Sequence, residues 1–490
     1  MVKAESWRSY LRDADAWPFL AAAAALMILG ICLRAAHLCD VIRIDEATTY
    51  VRFVTLPWRE AVVAYEIPNN HILNTVLVKI TAALFGPAEW ALRLPNLVAG
   101  VGTMAFTALI ARRWFGRVAA VAALAVVAIS PPAVHYAVLA RGYGLSVFFG
   151  LLALFAVDKK RSSPRPGAWA VTAGLASVCA LYALPAAIML VMPVAAYDFT
   201  LTVKKRPRAL RLWAAMWFGA AALTALLFAP VVAFNGWQHV FANEYNARLP
   251  LPEMARYIRL YGRVLPEAKS FGIGGPWFWV PLFTAGVVAG ALRRRTYGLL
   301  LLFCAVVIAG IFVAGVPLPT RLFYYLPPLL ALGVGALLEV IVAKLPISGP
   351  AWAWPGVAAA VLLTAGAGAA GEAANLIDDS HRSGVAPEAP ALAAALRELP
   401  PVSRVAAGAW FYDTAVLYYL IKMGEPTDAL DRAAPQAFTF DAYILVPPDL
   451  TPQEVADAYF WDGPLPVVRQ ELFRKVEGFG IWKVVIVNPR

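Results

Sequence analysis

Long apolar runs separated by short polar segments make up most of this chain. A helix that crosses a bilayer needs roughly 20 mostly apolar residues, and eleven runs come near enough to that length to be predicted as spans. The predicted spans are Trp17–Ala36, Leu94–Ala111, Val118–Val138, Leu145–Val157, Ala168–Leu184, Ala186–Thr202, Leu210–Phe234, Trp277–Leu292, Tyr297–Val316, Leu322–Val342 and Trp352–Ala370. The pattern predicts a polytopic α-helical membrane protein whose first helix is retained rather than cleaved as a signal peptide.

Basic clusters between the apolar runs give the predicted orientation. They are Arg112-Arg113 with Arg117, Lys159-Lys160-Arg161, Lys204-Lys205-Arg206 and Arg293-Arg294-Arg295. Lys and Arg are enriched in the cytoplasmic loops of membrane proteins, and eleven spans with a cytoplasmic N-terminus place all four clusters on that side. Residues 1–371 then form a transmembrane domain with two large external loops, 38–93 and 235–276.

One apolar segment inside the first external loop, Ile72–Phe85, resembles a twelfth span. It is short and contains Lys79, and counting it as a span would put the later basic clusters on the opposite face from those of the N-terminus. We therefore predict a helix that lies at the outer interface with its apolar side in lipid.

The composition changes after the last predicted span. Residues 372–490 alternate short apolar runs with polar, proline-rich turns, which indicates a small external α/β domain. The predicted strands and helices are Val402–Trp410, Phe440–Val446 and Ile481–Val487 for the strands, and Asp413–Lys422 and Pro452–Tyr459 for the helices.

The overall composition agrees with a membrane protein. The chain is 61% hydrophobic and 15% charged, whereas a soluble protein is about half apolar and one quarter charged. We assign the net charge of +11 to topology and to contact with anionic membrane lipid, so nucleic acid is not an expected partner.

An acidic pair, Asp45-Glu46, follows the first predicted span. Carboxylates are costly close to a bilayer, so a pair in this place is a candidate functional site. One of them can act as a general base toward an incoming hydroxyl or amine, or the pair can bind a divalent metal ion. Adjacent side chains on an extended segment point to opposite sides, and we favour Asp45 as the base. The alternative is an ordinary solvated loop.

Further polar groups stand at the predicted external ends of the spans. Asn69, Asn70 and His71 can hydrogen-bond a sugar hydroxyl, although a turn with an Asn helix cap explains the two asparagines almost equally well. Arg93 either binds a phosphate or snorkels to the lipid headgroups.

Two other external turns combine an arginine with aromatic residues. The candidates are His135, Arg141 and Tyr143 in one turn, and Arg321 and Tyr324 in the other. Arginine can clamp a phosphate with two parallel hydrogen bonds, whereas the alternative is an interfacial aromatic belt with a snorkelling arginine. Basic residues and a carboxylate beside apolar spans suit the transfer of a group from a lipid-borne anion.

The order of these motifs resembles one enzyme class. The motifs are Asp45-Glu46, His71-Ile72-Leu73, Phe85-Gly86, Ala91-Leu92-Arg93-Leu94-Pro95, Ala111-Arg112-Arg113-Trp114-Phe115-Gly116, Ser130-Pro131, Ala140-Arg141-Gly142-Tyr143, and Arg321 before Tyr324-Tyr325-Leu326-Pro327. Together they resemble the polyprenyl-phosphate-dependent membrane glycosyltransferases of the GT-C superfamily. The similarity is greatest to the protein mannosyltransferase-like branch (family 39), whose relatives include the lipid A aminoarabinose and galacturonic acid transferases.

The resemblance implies a GT-C fold with an external active site and a sugar donor carried on polyprenyl phosphate. It implies that Asp45 corresponds to the catalytic or metal-neighbouring acid, that His71 opens the loop helix, and that Arg141 and Arg321 hold the donor phosphate. Relatives often carry His-Pro-Pro at the loop helix, whereas this chain has Asn70-His71-Ile72-Leu73.

The sequence leaves three alternative functions open. The first is a hexosyl- or pentosyltransferase that acts on a lipid, glycan or protein acceptor at a bacterial inner membrane, with its site facing the periplasm. The second is a transporter or flippase of a lipid-linked glycan, which would place polar groups near the bilayer midplane. The third is a non-catalytic subunit of envelope assembly.

Overall fold

The computed structural model describes residues 16–65, 67, 69–203, 207–238, 248–264, 276–318, 320–344, 386–399, 405–406, 410–426, 439–459 and 467–487. These residues form a mostly helical protein with one small sheet. The chain divides into two compact units. The first unit comprises Met1–Leu38, Val63–Val78 and Arg93–Ile377, and the second comprises Cys39–Val62, Lys79–Leu92 and Asp378–Arg490.

The helical part of the chain ends, within the described residues, at Lys344. Its helices are α1 (Ala16–Ala35), α2 (Ile44–Thr49), α3 (Trp58–Ala61), α4 (Ile72–Phe85), α5 (Glu89–Trp114), α6 (Arg117–Ile129), α7 (Pro131–Ala137), α8 (Gly142–Lys160), α9 (Pro166–Ala183), α10 (Ile188–Thr202), α11 (Pro207–Asn235), α12 (Leu251–Val264), α13 (Pro276–Arg293), α14 (Arg295–Val313) and α15 (Leu326–Lys344). A π-helical turn, Tyr50–Val54, follows α2, and 3-10 turns occur at Pro185–Ala187 and Thr320–Phe323.

Eight described helices are long and apolar enough to cross a membrane, or nine if the bent pair α6 and α7 forms one span. Helices coincide with the predicted spans up to Val342, whereas the predicted span Trp352–Ala370 lies outside the described residues. The prediction of a polytopic helical membrane protein is confirmed. Its backbone is helical because lipid offers no partners for exposed N–H and C=O groups.

The predicted span Val118–Val138 is not one straight helix. Its two halves, α6 and α7, meet at Ser130 with a bend of 65°. Ser130 is extended (ψ 120°) and is followed by two prolines at the start of α7. A residue before proline is disfavoured in the helical region, which explains the break.

The segment Ile72–Phe85 forms α4, a helix of 14 residues with the predicted bounds. At about 1.5 Å per residue it is about 21 Å long, which is shorter than a hydrocarbon core of about 30 Å. Its length therefore fits a helix that does not cross the bilayer. Its place at the outer interface stays a prediction.

The core of the first unit surrounds α6, whose residues from Val118 to Ile129 are all buried. All of them except Leu124 are small or β-branched, so neighbouring helices approach closely. A Cβ at Gly335 of α15 would lie 2.5 Å from the carbonyl oxygen of Ala119, which shows how near the two backbones are. The amide of Ala119 also donates to Glu339 Oε2 at 3.0 Å, so α15 caps the first turn of α6.

The second unit contains a four-stranded sheet with the order β1-β2-β4-β3. Its elements are β1 (Val405–Ala406), β2 (Thr439–Val446), β3 (Val467–Val476), β4 (Phe479–Val487) and the helices α16 (Ala389–Leu396), α17 (Trp410–Lys422) and α18 (Pro452–Tyr459). Strands β1 and β2 are parallel, whereas β4 is antiparallel to both of its neighbours. The prediction of a small C-terminal domain of mixed helices and strands is confirmed.

The sequence reading of this domain needs three corrections. Within the predicted strand Val402–Trp410, the described residues Val405–Ala406 form β1, whereas Trp410 already begins α17 and is helical. Helix α16 and strand β3 were not predicted. Strand β3 is an exposed edge strand rich in charged residues, a composition that protects a sheet edge from further pairing but conceals the strand pattern.

Within the second unit, α17 contacts residues 42–50 at the beginning of the first predicted external loop. The amide of Ile42 donates to Tyr419 Oη at 3.2 Å, and the rings of Tyr50 and Tyr418 meet edge to face with centroids 5.4 Å apart. Tyr418 Oη donates to the carbonyl of Pro87 at 2.7 Å. Residues of α17 therefore fix the segment that carries α2.

Candidate functional site

Arg141 is the central charged residue of the candidate site in the first unit. It stands just before α8 in an extended conformation (φ −135°, ψ 154°), so its backbone is outside the helix. The side chain is 4% exposed. Its guanidinium donates to the carbonyl of Asn69 at 3.3 Å and also to Asn69 Oδ1. A buried arginine is thus attached to the turn that precedes α4.

His71 fixes the beginning of α8 against the same turn. Its Nδ1 accepts a hydrogen bond from the amide of Gly142 at 2.7 Å. This amide is one of those that a helix N-terminus leaves without an intrahelical partner. The ring of His71 also meets the ring of Tyr143 edge to face at 5.3 Å. His71 therefore positions the residue next to Arg141.

Two buried asparagines support the other side of Arg141. Asn74 Nδ2 donates to the carbonyl of Ala140 at 2.8 Å, and Asn96 Nδ2 donates to Asn74 Oδ1 at 2.7 Å. The chain on each side of Arg141 is thereby tied to α4 and α5. The sequence analysis missed both asparagines, although an Asn side chain inside an apolar helix typically hydrogen-bonds to a neighbouring helix.

A cluster of aromatic side chains adjoins Arg141, and we call it the tyrosine cluster. Its members are His71, His135, Tyr136, Tyr143 and Tyr324, with ring centroids of neighbouring members 5.1–5.5 Å apart. The hydroxyl of Tyr324 is hydrogen-bonded to that of Ser146, and the guanidinium of Arg141 lies 5.9 Å from the Tyr143 ring centroid. The fold thus brings Arg141 together with four other predicted site residues, His71, His135, Tyr143 and Tyr324.

Tyr65 is a buried phenol close to the same arginine. Burial raises the pKa of Tyr65 to about 12, and the positive charge of Arg141 acts in the opposite direction. The amide of Tyr65 donates to Asn235 Oδ1 at 2.9 Å, and Asn235 Nδ2 donates to the carbonyl of Val63 at 2.6 Å. Tyr65 is therefore a neutral hydroxyl near the site at physiological pH.

Three further candidates have other surroundings. The amide of Asn70 bonds within its own turn, donating to the Ala64 carbonyl at 2.7 Å and accepting from Thr75 Oγ1 at 2.7 Å. Arg93 is 3% exposed and donates to two carbonyls that follow α1, at 3.2 and 3.1 Å. Arg321 lies on the 3-10 turn Thr320–Phe323, but its side chain is outside the described residues.

The acidic pair belongs to the second unit and lies on a short helix, α2, rather than on the extended segment assumed from the sequence. Glu46 is 1% exposed, and its Oε2 accepts from the amide of Arg43 at 3.0 Å. Asp45 is exposed. The two carboxylates are thus in different environments. Glu46 accepts a hydrogen bond at the N-terminus of α2, whereas the side chain of Asp45 is exposed.

A metal site is not evident in the part of the chain that the structure describes. No three His, Cys, Asp or Glu side chains there are close enough together to hold a metal ion.

A comparison with protein-family models finds one match. Residues 72–234 match the model described as dolichyl-phosphate-mannose-protein mannosyltransferase. The matched range begins at the residue after His71 and contains all of α4 and Arg141. No curated protein sequence matches the chain.

Solved structures share the fold over nearly the whole chain. The apo structure of ArnT from Cupriavidus metallidurans is 16% identical with a TM-score of 0.59, and the match covers 96% of this chain and 98% of that one. ArnT from the same organism bound to undecaprenyl phosphate is 16% identical with a TM-score of 0.57, and the match covers 97% of this chain and 100% of that one. A third match is the archaeal oligosaccharyltransferase AglB from Archaeoglobus fulgidus in complex with an inhibitory peptide and a dolichol-phosphate. It is 15% identical with a TM-score of 0.53, and the match covers 84% of this chain and 64% of that one. The chain therefore shares its fold with ArnT and AglB, and this shared fold agrees with the resemblance seen in the sequence.

Proposed function

We propose that this chain, which has the GT-C glycosyltransferase fold, transfers a sugar from a polyprenyl-phosphate donor to a lipid, glycan or protein acceptor. The observation that carries the proposal is the match over the full length of an ArnT structure bound to undecaprenyl phosphate, combined with a buried arginine in the matched family region. The proposed location is a bacterial inner membrane, with transfer on the periplasmic face.

Arg141 is the proposed ligand of the donor phosphate. A guanidinium presents five N–H donors in a planar fork, and charge-assisted bonds to phosphate oxygens are about twice as strong as neutral ones. Burial of Arg141, together with its bonds to Asn69, limits its rotamers before a donor arrives. The neighbouring rings of Tyr143 and Tyr324 offer flat apolar surface and hydroxyl groups that suit a sugar. The geometry therefore supports recognition of a phosphate with a sugar attached.

Asp45 is the proposed general base, since it is the exposed member of the acidic pair. The acceptor O–H or N–H bond breaks as its proton moves to the Asp45 carboxylate. The acceptor oxygen or nitrogen then bonds to the anomeric carbon of the sugar. The bond between that carbon and the phosphate oxygen breaks, and its electron pair leaves with polyprenyl phosphate. The binding energy of Arg141 would stabilise the charge that grows on the leaving phosphate.

The experiment follows radiolabelled sugar from a panel of polyprenyl-phosphate donors into acceptors, in vesicles that contain the full chain. The variants are Asp45→Asn and, as the matched control, Glu60→Gln, which removes another exposed carboxylate from the second unit. We expect Asp45→Asn to lower transfer by about 10²- to 10⁴-fold, the usual contribution of a general base, and Glu60→Gln to retain it. Transfer by Asp45→Asn at the wild-type rate would rule out its assigned role.

The same vesicles separate transfer from transport. A transferase forms a new glycosidic bond, which chromatography of the labelled product detects. Movement of the lipid-linked sugar across the bilayer without that bond would instead support the transporter, and no label in any product would favour an assembly subunit. Repeating the assay with a chelator tests whether a divalent metal ion takes part.

A further inference from the structure

A polar cavity lies in the first unit, away from the tyrosine cluster. It has a volume of about 300 Å³ and is lined by Arg113, Asp158, Arg161, Ser162 and Arg294. The end of α5, the end of α8 and the connection between α13 and α14 supply these residues. Helix ends that are distant in the sequence thus build one cavity that contains three arginines.

The cavity is distinct from the candidate site because the two stand at opposite ends of α8. Arg141 precedes the first residue of this 19-residue helix, whereas Asp158 and Arg161 are at its end. At about 1.5 Å per residue the helix is about 28 Å long, close to the thickness of a hydrocarbon core. The cavity therefore lies at the membrane face opposite to the Arg141 turn, where the basic clusters predict the cytoplasm.

The lining residues leave an excess of positive charge. The Asp158 side chain is 6% exposed and bonds two arginines, Arg113 Nε at 2.7 Å and Arg294 NH2 at 2.9 Å. One carboxylate thus faces two guanidiniums, and the exposed Arg161 adds a third. The backbone amide of Arg161 donates to the Lys159 carbonyl, whereas its guanidinium makes no hydrogen bond or ion pair with the described part of the chain. The formal charge of the lining is +2.

Two of the arginines are held in fixed positions. Arg294 Nε donates to Thr296 Oγ1 at 3.0 Å, and its guanidinium lies 4.7 Å from the Trp114 ring centroid. Arg113 also donates to Ser162 Oγ at 3.2 Å. Cations that only set membrane topology need no such anchoring, because they remain solvated. A ligand meets these groups already ordered, so less conformational entropy is lost when it binds.

We propose that this cavity binds a phosphate group, with the headgroup of an anionic phospholipid as its source. Fixed guanidiniums suit phosphate oxygens because their N–H groups form parallel charge-assisted hydrogen bonds. Basic pockets between membrane helices on the cytoplasmic side are typical sites for anionic headgroups. The cavity lies at the end of membrane-spanning helices, at the depth where such headgroups are found. The bound lipid would join α5, α8 and the α13–α14 connection.

The test measures lipid binding by native mass spectrometry of the full chain in detergent. The lipid is phosphatidylglycerol, the neutral comparison is phosphatidylcholine, and inorganic phosphate is the free-anion probe. The variant is Arg161→Ala, because the residue is exposed and its removal breaks no ion pair. The matched control is Arg165→Ala. Arg165 is also exposed and lies between α8 and α9, as Arg161 does, but it does not line the cavity.

We expect the wild type to prefer phosphatidylglycerol, and Arg161→Ala to weaken that binding about tenfold, which equals about 1.4 kcal/mol. Arg165→Ala should stay within twofold of the wild type. Displacement of the lipid by millimolar inorganic phosphate would identify free phosphate as the source, whereas retention of the lipid would identify the headgroup. Equal affinities in the two variants would overturn the proposal. The measurement uses no transferase activity, so it is independent of the proposed function.

Discussion

Replacement of Gly142 by alanine tests whether the turn around Arg141 is as tightly constrained as the structure indicates. Gly142 is the first residue of α8, and its amide is bound by His71. A Cβ at this position would lie 2.0 Å from the carbonyl oxygen of Ala183 and 2.9 Å from the Cβ of His71. The nearest obstacle is backbone, so no rotation of a side chain can relieve the clash.

The size of the effect follows from that distance. The Ala183 carbonyl must retreat by about 1.4 Å to change a 2.0 Å approach into an ordinary 3.4 Å contact. Overpacking of this kind costs about 1–3 kcal/mol of stability. A displacement of about 1 Å at a reacting centre can lower a rate about 100-fold. We therefore expect Gly142→Ala to lower sugar transfer much more than it lowers the yield of folded protein.

The assay combines kcat/KM for sugar transfer with the melting temperature in detergent. The matched control is Gly219→Ala on α11, where an added Cβ has no atom within 4 Å. A helical Gly→Ala change without strain stabilises by about 0.4–1 kcal/mol, so this control should keep its activity and melt at the wild-type temperature or slightly above it. Wild-type transfer and stability in Gly142→Ala would refute the close approach of Gly142 to Ala183.

Three other predictions concern buried polar groups. Asp198→Ala should lower the stability of the first unit by about 3–5 kcal/mol, because the fully buried carboxylate of Asp198 accepts a hydrogen bond from Lys160 at 2.6 Å. As the control, Glu425→Ala removes one partner of an exposed ion pair and should lower the stability by less than about 1 kcal/mol. Glu46→Gln should lower the melting temperature yet keep sugar transfer within a few fold, because Glu46 serves the start of α2. The stability contributed by Tyr65 should be present below pH 10 and be lost between pH 10 and about 12, because its pKa is raised only in the folded state.

Each of these predictions has a direct check. Thermal melts of the Asp198 and Glu425 variants should differ strongly, and equal melts would contradict the burial argument. Complete loss of transfer in folded Glu46→Gln would show that Glu46, and not only Asp45, acts in catalysis. Melting temperatures measured across pH 9–12 should fall more steeply for the wild type than for Tyr65→Phe, and parallel curves would contradict the raised pKa.

Much of the fold could be predicted from the sequence because its signals are local. An apolar run in lipid must satisfy its own backbone hydrogen bonds, and a helix does so within the run. The bounds of α4 and of α18 agree with the predicted Ile72–Phe85 and Pro452–Tyr459. Strand β3 was missed because an exposed edge strand lacks an apolar pattern, and the bend at Ser130 was missed because hydropathy does not register a change in helix direction.

The sequence by itself determined that the chain is a multi-span membrane protein and which residue types are available for chemistry. Only the tertiary structure decided which of those residues meet. Asn69, Arg141 and Tyr324 lie far apart along the chain, yet they belong to one set of contacts in the first unit. The packing of α17 with the first loop, and the burial of Glu46 beside an exposed Asp45, likewise depend on long-range contacts. Such contacts arise from packing between segments, and no local pattern of residues encodes them.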